Sequence, residues 1–260
     1  MKKAFEITFL GTCAHDYSPR LRTDCKDKFD YDARRSSAVL FNRSFLIDCG
    51  DHCLDELRIA QADVSLITDV FITHLHCDHY NVGHLERLAA GKETPLRVWV
   101  AKGAPLPELK NAEIRPMETG VSYEVADGLK VVGLPANHNA NAFPQHLLFE
   151  RNGKRFFYGC DGAWFLNETY YALKNANLDL MVLDGTCGDG EGEWRIGEHN
   201  TLPMIRLMLP SLKKWGTIGE NTQVYVSHLA PSLHLPHKET VALLERDGVK
   251  VAYDGLKTEF

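Results

Sequence analysis

The sequence lacks paired cysteines, long apolar runs and an excess of positive charge, and each absence excludes a class of protein. Its seven cysteines are an odd number, are widely scattered and include no CxxC pair. Reduced thiols in a cytoplasmic protein therefore fit better than the disulfide framework of a small secreted domain. The cysteines are Cys13, Cys25, Cys49, Cys53, Cys77, Cys160 and Cys187.

Acidic residues outnumber basic ones, 35 against 29, which gives a formal net charge of -6. This balance gives no strong signal for a nucleic-acid partner. A small anionic substrate stays compatible with it, because a metal site supplies its own positive charge. No apolar run approaches the length of a membrane span. Residues 1–3 lead at once into an alternating, strand-like run, so we expect neither a leader peptide nor a membrane partner.

Four residues of metal-ligand type fall within the run HLHCDH at 74–79, directly after an apolar segment. At the end of an extended strand, His74 and His76 point the same way because side chains alternate. Asp78 and His79 then lie on the turn that leaves the strand. One segment can thus present two imidazoles to one cation and an Asp–His pair to a second. Such ligands suit Zn, Mn or Fe, and a metal pair can generate hydroxide at neutral pH.

A two-metal site needs more than four ligands, and functional side chains collect where strands end. His138, Asp161 and His228 each follow or end a predicted strand. The predicted arrangement is one metal on His74, His76 and His138, a second on Asp78, His79 and His228, and Asp161 between them. His146 is a weaker alternative to His138, because it opens a strand instead of closing one. The histidines not expected to be ligands are His15, His52 and His84.

Periodicity and turn signals predict one α/β domain over residues 1–260, rich in strands with interleaved helices. Strands are expected at 5–10, 37–40, 44–47, 97–101, 121–125, 129–134, 146–150, 155–159, 178–183, 223–227 and 249–253, with a run at 64–73 that leads into the ligand segment. Helices are expected at 53–60, 82–90, 167–175, 202–212 and 238–246. Residues 102–120 are expected to form proline-rich turns.

Residues 15–35 have no periodicity, and their charges nearly cancel, with five Asp against six Arg or Lys. A stretch of this kind is either a disordered or solvated segment or a functional loop over a site. Guanidinium groups match phosphate oxygens, so the arginines of this stretch could contact a substrate phosphate. For each of them, however, a solvated position is favoured. These arginines are Arg20, Arg22, Arg34 and Arg35.

The HxHxDH run together with His138, Asp161 and His228 resembles the metallo-β-lactamase superfamily over essentially the whole chain. The run LIDCG at 46–50 is similar to that family's early strand end, which implies that Asp48 helps to order the ligand segment. The resemblance implies a four-layer αβ/βα sandwich. Two mixed β-sheets would face each other, helices would cover both outer faces, and the metals would lie along one edge.

Shorter runs resemble the phosphodiesterase branch of that superfamily: LGT at 10–12, RRSS at 34–37 and VAYDGL at 251–256. That branch includes the phosphoribosyl cyclic phosphodiesterase and, more distantly, the tRNA 3′-processing nucleases. The run IGEHN also fits it, and the resemblance implies that His199 is a proton donor. The Cys-rich early loop of the cyclic enzyme has no counterpart, so no further zinc site is expected. The long arm of the tRNA nucleases has no counterpart either.

The resemblance therefore implies a metal-dependent hydrolase of a small phosphodiester, with a cyclic one as a candidate, acting through a dinuclear metal-bound hydroxide. Asp78 would bind one metal and orient the hydroxide, and His199 would be the general acid. Two divalent ions are expected, Zn²⁺ first and Mn²⁺ or Fe as alternatives. Competing hypotheses are a lactone or thioester hydrolase, a mononuclear-iron persulfide oxidoreductase, and a metal-binding protein without activity. A homodimer is an open expectation.

Overall fold

Two β-sheets carry the fold in the computed structural model, which describes residues 3–190 and 192–260. Met1, Lys2 and Glu191, which belong to the predicted domain, lie outside the described residues. In chain order the strands are β1 (Glu6–Gly11), β2 (Ala38–Phe41), β3 (Phe45–Ile47), β4 (Asp69–Phe71), β5 (Leu96–Ala101), β6 (Ala112–Met117), β7 (Ser122–Glu124), β8 (Lys130–Pro135), β9 (Gln145–Arg151), β10 (Lys154–Gly159), β11 (Leu178–Asp184), β12 (Ile218–Ser227), β13 (Val249–Val251) and β14 (Lys257–Glu259).

Each sheet mixes parallel and antiparallel neighbours. The first has the order β14-β1-β2-β3-β4-β5-β6 and the second the order β13-β12-β11-β10-β9-β8-β7. In the first sheet, β3 to β6 run parallel to one another and the β14-β1-β2-β3 pairs are antiparallel. In the second, β10 to β13 are parallel and β7 to β10 antiparallel. The parallel strands of each sheet therefore end side by side.

An aromatic core fills the space between the two sheets. Phe41 and Phe71 of the first sheet meet Phe149 of the second, with ring centroids 5.0 Å apart in both pairs and edge-to-face geometry. Phe156 lies 6.0 Å from Phe41 in the same layer. Edge-to-face aromatic pairs contribute about 0.5–1.5 kcal/mol each beyond the burial of their area. The core thus fixes how the two sheets face each other.

Helices cover the outer face of each sheet. They are α1 (Cys53–Ile59), α2 (Val82–Ala89), α3 (Asn167–Ala172), α4 (Leu202–Lys214) and α5 (His237–Glu245). The first two pack on the first sheet and the other three on the second, each through a buried aliphatic layer. This confirms the predicted four-layer sandwich. Within residues 3–190 and 192–260, no helix combines the length and the apolar composition that a membrane span requires.

Side-chain caps fix where two helices begin, next to predicted site residues. The Asn81 side chain accepts a hydrogen bond from the His84 backbone nitrogen at 3.2 Å, so α2 starts just after the ligand segment. The Thr201 hydroxyl accepts one from the Met204 backbone nitrogen, also at 3.2 Å, at the start of α4. Both caps hold the preceding loop residues in a defined position.

Two edge strands were not expected from the sequence. The prediction of turns over 102–120 is wrong at β6, which pairs in parallel with β5. Pro116 is tolerated there because an edge strand bonds a neighbour on one side only. β14 pairs with β1 although its three residues carry no apolar pattern. Both strands are defined by their neighbours, which the local sequence does not encode.

The stretch 15–35 is organised by buried guanidinium groups. Arg35 donates hydrogen bonds to the carbonyl oxygens of Cys25, Lys26 and Lys28. Arg34 is buried as well and donates to the Thr12 hydroxyl and to the Ala252 carbonyl, both at 2.6 Å. The favoured expectation of a solvated position is therefore wrong for these two arginines. Arg35 thus holds the loop together, and Arg34 ties it to the body of the protein.

Candidate metal centre

The segment after β4 places four predicted ligands at one edge of the first sheet. β4 ends at Phe71, and residues 73–79 form bends and turns, so the predicted extended geometry is wrong for this segment. The two imidazoles nevertheless reach the same point, because His74 Nε2 lies 3.0 Å from His76 Nδ1. The tight turn, and not strand alternation, brings them together.

The first ligand group combines this segment with residues from the second sheet. His138 follows β8, and its Nε2 lies 3.1 Å from His76 Nδ1. Asp161 follows β10, and its Oδ2 lies 3.4 Å from His74 Nε2 and 3.6 Å from His138 Nε2. These four side chains face one another as predicted for the first metal.

The second group lies on the other side of Asp161. His79 Nε2 lies 3.1 Å from His228 Nε2, and Asp78 Oδ2 is 3.4 Å and 3.5 Å from these two nitrogens. Asp161 Oδ2 is 3.6 Å from His79 Nε2 and 3.4 Å from His228 Nε2. One oxygen of Asp161 therefore faces both groups.

The donor atoms fit a pair of divalent cations. Two nitrogens bound to one tetrahedral zinc are about 3.3–3.4 Å apart, given Zn–N distances of about 2.0–2.1 Å. The contacts within the two groups run from 3.0 to 3.6 Å. Imidazole nitrogens that face each other cannot all donate to one another, whereas a shared cation satisfies every lone pair. The structure brings together all seven predicted ligands in the two predicted groups.

Burial and neighbouring charges act differently on the two groups. Burial lowers the pKa of His74 to about 3, which favours the neutral, metal-binding form. Burial also lowers the pKa of His228, but Asp161, with Asp184 and Asp78, outweighs it and raises the pKa to about 9. Burial raises the pKa of Asp78, but His79 and His228 hold it well below its ordinary value. The lowered pKa of Asp78 favours its ionised form, which is the form that binds a cation.

Asp48, at the end of β3, holds the ligand segment from behind. Its Oδ2 lies 2.7 Å from His79 Nδ1, and its Oδ1 accepts hydrogen bonds from the Thr73 backbone nitrogen at 2.8 Å and hydroxyl at 2.9 Å. A carboxylate on Nδ1 fixes the tautomer and leaves the Nε2 lone pair free for a metal. These are the contacts expected of a residue that orders the ligand segment.

Asp184 begins the segment 184–192, which the sequence indicates as an active-site loop, although no role was predicted for its side chain. Its Oδ2 lies 3.0 Å from His199 Nδ1 and 3.4 Å from His228 Nδ1. Its Oδ1 accepts from the Thr186 backbone nitrogen at 2.9 Å. Its position at the end of β11 is the sequence signal for a role in the site, by the same strand-end rule that points to Asp161. Asp184 orients one predicted ligand and the predicted proton donor together.

His199 lies beside the centre, just before α4. Its Nδ1 is 2.8 Å from Asp161 Oδ1 and 3.0 Å from Asp184 Oδ2. Burial lowers the pKa of His199, but Asp161 and Asp184 outweigh it and raise the pKa to about 11. The side chain is 13% exposed. It thus lies at the rim, next to the carboxylate that joins the two groups.

The other histidines lie outside the seven-residue group. His146, the alternative to His138, is fully buried behind the Asp161 loop, with its ring 5.6 Å from those of Phe157 and Phe165. His84 Nδ1 lies 2.8 Å from the Gly50 carbonyl oxygen. The ring of His52 packs on that of Tyr17, with centroids 4.4 Å apart. His15 lies beside Asp51 and Cys77.

Replacing Asp48 by asparagine is expected to weaken metal binding about 10–100-fold, the usual effect of losing a partner behind a ligand. His79 would lose the carboxylate that fixes its tautomer. Competition with a chromophoric chelator measures the affinity, and Asp24→Asn, at an exposed position of the 15–35 stretch, is the control. Unchanged affinity in Asp48→Asn would contradict this role.

Gly50 is expected to tolerate no side chain. A Cβ there would lie 1.8 Å from the Asp78 carbonyl oxygen and 2.7 Å from the His79 backbone nitrogen. We expect Gly50→Ala to lower the free energy of unfolding by about 3 kcal/mol, the upper end for overpacked positions, and to reduce the bound metal. Urea unfolding tests this against Gly190→Ala, whose Cβ would meet no atom within 4 Å. Equal stability of the two variants would refute the expectation.

Comparison with known proteins gives one family and several relatives. A family model described as the β-lactamase superfamily domain matches residues 43–253. The ribonuclease BN of Cronobacter sakazakii is 30% identical over 159 residues, which are 53% of this chain and 47% of the relative. The chain thus spans about half the length of the curated relatives that head the comparison.

Many solved structures match the fold, among them two that match it along essentially the whole chain. The metallo-β-lactamase fold protein YhfI from Bacillus subtilis has a TM-score of 0.75 at 15% identity and covers 100% of both chains. A diphosphatase from the PhnP family has a TM-score of 0.71 at 19% identity and covers 98% of both chains. At these identities the likeness shows the fold alone.

Proposed function

The chain belongs to the family of the β-lactamase superfamily domain, and on that premise we propose that it is a metal-dependent hydrolase of a small phosphodiester, with cyclic diesters as candidates. The observation that carries the proposal is the pair of ligand groups joined by one oxygen of Asp161, with His199 on its other oxygen. The names of the relatives, a ribonuclease and a diphosphatase, support phosphate ester chemistry.

The residues fit two divalent cations, with zinc first and manganese or iron as alternatives. When bound, such a pair polarises phosphoryl oxygens and lowers the pKa of a water molecule. The first cation would be held by His74, His76 and His138, the second by Asp78, His79 and His228, and Asp161 would serve both.

Two carboxylates have distinct tasks within the centre. Oδ2 of Asp161 faces the two ligand groups, and its Oδ1 faces His199. Asp161 therefore sets the distance between the ligands and the proton donor. Asp78 lies beside the His79 and His228 nitrogens, which hold its pKa well below its ordinary value. We assign to it the role of a ligand that also orients the attacking water.

His199 is proposed to protonate the leaving oxygen. Its Nδ1 faces the carboxylates of Asp161 and Asp184, which leaves Nε2 as the nitrogen that can give up a proton. Asp184 itself is held by the backbone nitrogens of Thr186 and Asn200. The ring is thus positioned by a fixed carboxylate, as general acid catalysis requires.

Substrate panels and elemental analysis test the proposal together. The metal-loaded protein should release nitrophenol from bis(p-nitrophenyl) phosphate and cleave some of a set of cyclic nucleotides, cyclic sugar phosphates and short RNAs. Lactones and thioesters should be cleaved slowly or not at all. A single bound iron with no diesterase activity would favour the oxidoreductase class, and activity on lactones or thioesters alone would favour the other hydrolase class.

Removing the metals is expected to lower stability as well as activity. A cation that binds only the folded chain stabilises it by about 2.7 kcal/mol when its free concentration is 100 times Kd. Thermal unfolding with and without a chelator measures this effect. Because the ligands must be deprotonated, the difference should shrink as the pH falls. An identical Tm in both conditions would contradict metal binding by the folded state.

A further inference from the structure

Three donor atoms of different chemistry meet beside the proposed centre and outside its seven ligands. They belong to His15, on the loop after β1, Asp51, on the turn after β3, and Cys77, on the segment after β4. We propose that these three residues form a separate binding site for a third divalent cation of the zinc type. The fold brings together three distant chain segments to make it.

The distances between the donor atoms suit zinc. His15 Nδ1 lies 3.7 Å from Asp51 Oδ2 and 3.7 Å from Cys77 Sγ, and all three donor atoms lie within 4.8 Å of one another. Tetrahedral zinc, with Zn–S of about 2.3 Å and Zn–N of about 2.0–2.1 Å, separates such atoms by about 3.4–3.6 Å. Movements of a few tenths of an ångström to about one ångström complete the geometry.

Neighbouring groups hold the donors in place. The Tyr17 hydroxyl donates to Asp51 Oδ2 at 3.4 Å, which orients the carboxylate. The ring of His15 packs on that of Tyr17, with centroids 5.0 Å apart. The backbone just before it is tied down, because the Ala14 nitrogen donates to the Leu229 carbonyl oxygen at 3.1 Å.

The charge balance at this cluster also favours a cation. Among residues 3–190 and 192–260, Asp51 forms no ion pair with a lysine or arginine, and its one ion-pair contact is the His15 imidazole. Cys77 is the exposed thiol among the seven cysteines, the other six being buried. A cation would compensate both the carboxylate and a thiolate.

Three protein ligands leave the fourth position of a tetrahedral cation open. The side chains of His15 and Asp51 are 55% and 30% exposed, so that position is accessible from solvent. The site would therefore take an exchangeable ligand and is not a closed structural site. It departs from the expectations that His15 binds no metal and that no further zinc site exists.

Cobalt loading tests this site separately from hydrolysis. The full chain is freed of metal with a chelator and titrated with Co²⁺, while elemental analysis counts the cobalt bound per chain. Thiolate-to-cobalt charge transfer in the near ultraviolet is the specific signal, because the seven other ligands offer nitrogen and oxygen only. We expect this band to appear with a third equivalent of cobalt.

Cys77→Ser should remove the band and one cobalt per chain, and the two retained ions show that the variant is folded. His15→Ala and Asp51→Asn should each weaken this cobalt site at least tenfold. Cys187→Ser, which changes a buried thiol, should keep the band. Saturation of the wild type at two ions without the band, or a band unchanged in Cys77→Ser, would overturn the proposal. Neither readout depends on which ester the protein cleaves.

Discussion

Replacing His199 by alanine is expected to lower kcat for phosphodiester hydrolysis about 10²–10⁴-fold, the range for loss of a general acid, while metal content stays unchanged. The His199 ring contacts Oδ1 of Asp161 and Oδ2 of Asp184, and His199 is not among the seven proposed ligands. The loss should fall on kcat, because protonation of the leaving oxygen belongs to the chemical step.

Leaving-group dependence separates this role from a structural one. A nitrophenolate leaves without protonation, so His199→Ala should affect bis(p-nitrophenyl) phosphate much less than a diester with an alkoxide leaving group. Steady-state kinetics on both substrates, with metal analysis of each preparation, give the answer. Equal losses on the two substrates would exclude general acid catalysis, and loss of metal would make His199 a ligand.

Replacing Asp161 by asparagine is expected to reduce metal affinity more than about 100-fold and to abolish hydrolysis. This loss would exceed the loss of about 10–100-fold that is usual for a residue that hydrogen-bonds a ligand without binding the metal itself. Oδ2 of Asp161 lies 3.4–3.6 Å from four imidazole nitrogens, two in each group, so both cations lose a shared anionic ligand at once. The amide keeps the shape of the side chain, so the fold should be preserved.

Asp184→Asn is the matched control for this change. Asp184 contacts His228 Nδ1 and His199 but none of the nitrogens that face the proposed metals. The Asp184→Asn variant should bind two ions with moderately weakened affinity and should hydrolyse the substrate at a reduced rate. Calorimetric titration of both metal-free variants with Zn²⁺ measures and compares their metal affinities. Wild-type affinity for two ions in Asp161→Asn would contradict a shared ligand.

Much of the site follows from the sequence, because its ligands obey two local rules. The run at 74–79 is informative by spacing alone, and His138, Asp161 and His228 satisfy the strand-end rule. Asp184 obeys that rule equally, yet the sequence does not show which strand-end acids face the site. The parallel order of β10, β11 and β12 decides this, since it places their ends side by side.

Other features have no local signature. Arg35 organises its loop through backbone carbonyl oxygens, which every residue possesses. The strands β6 and β14 exist because β5 and β1 offer free edges. The cluster of His15, Asp51 and Cys77 joins three segments that no periodicity connects. Long-range pairing, and not residue type, determines each of these features.

Titration of the metal-free chain with Zn²⁺ tests the central claim most directly, when hydrolysis of bis(p-nitrophenyl) phosphate is followed in the same samples. We predict that the rate rises as the first two ions bind, and that Asp161→Asn shows neither the binding nor the rise. Two tightly bound ions without hydrolysis of this or any other phosphodiester would contradict the account.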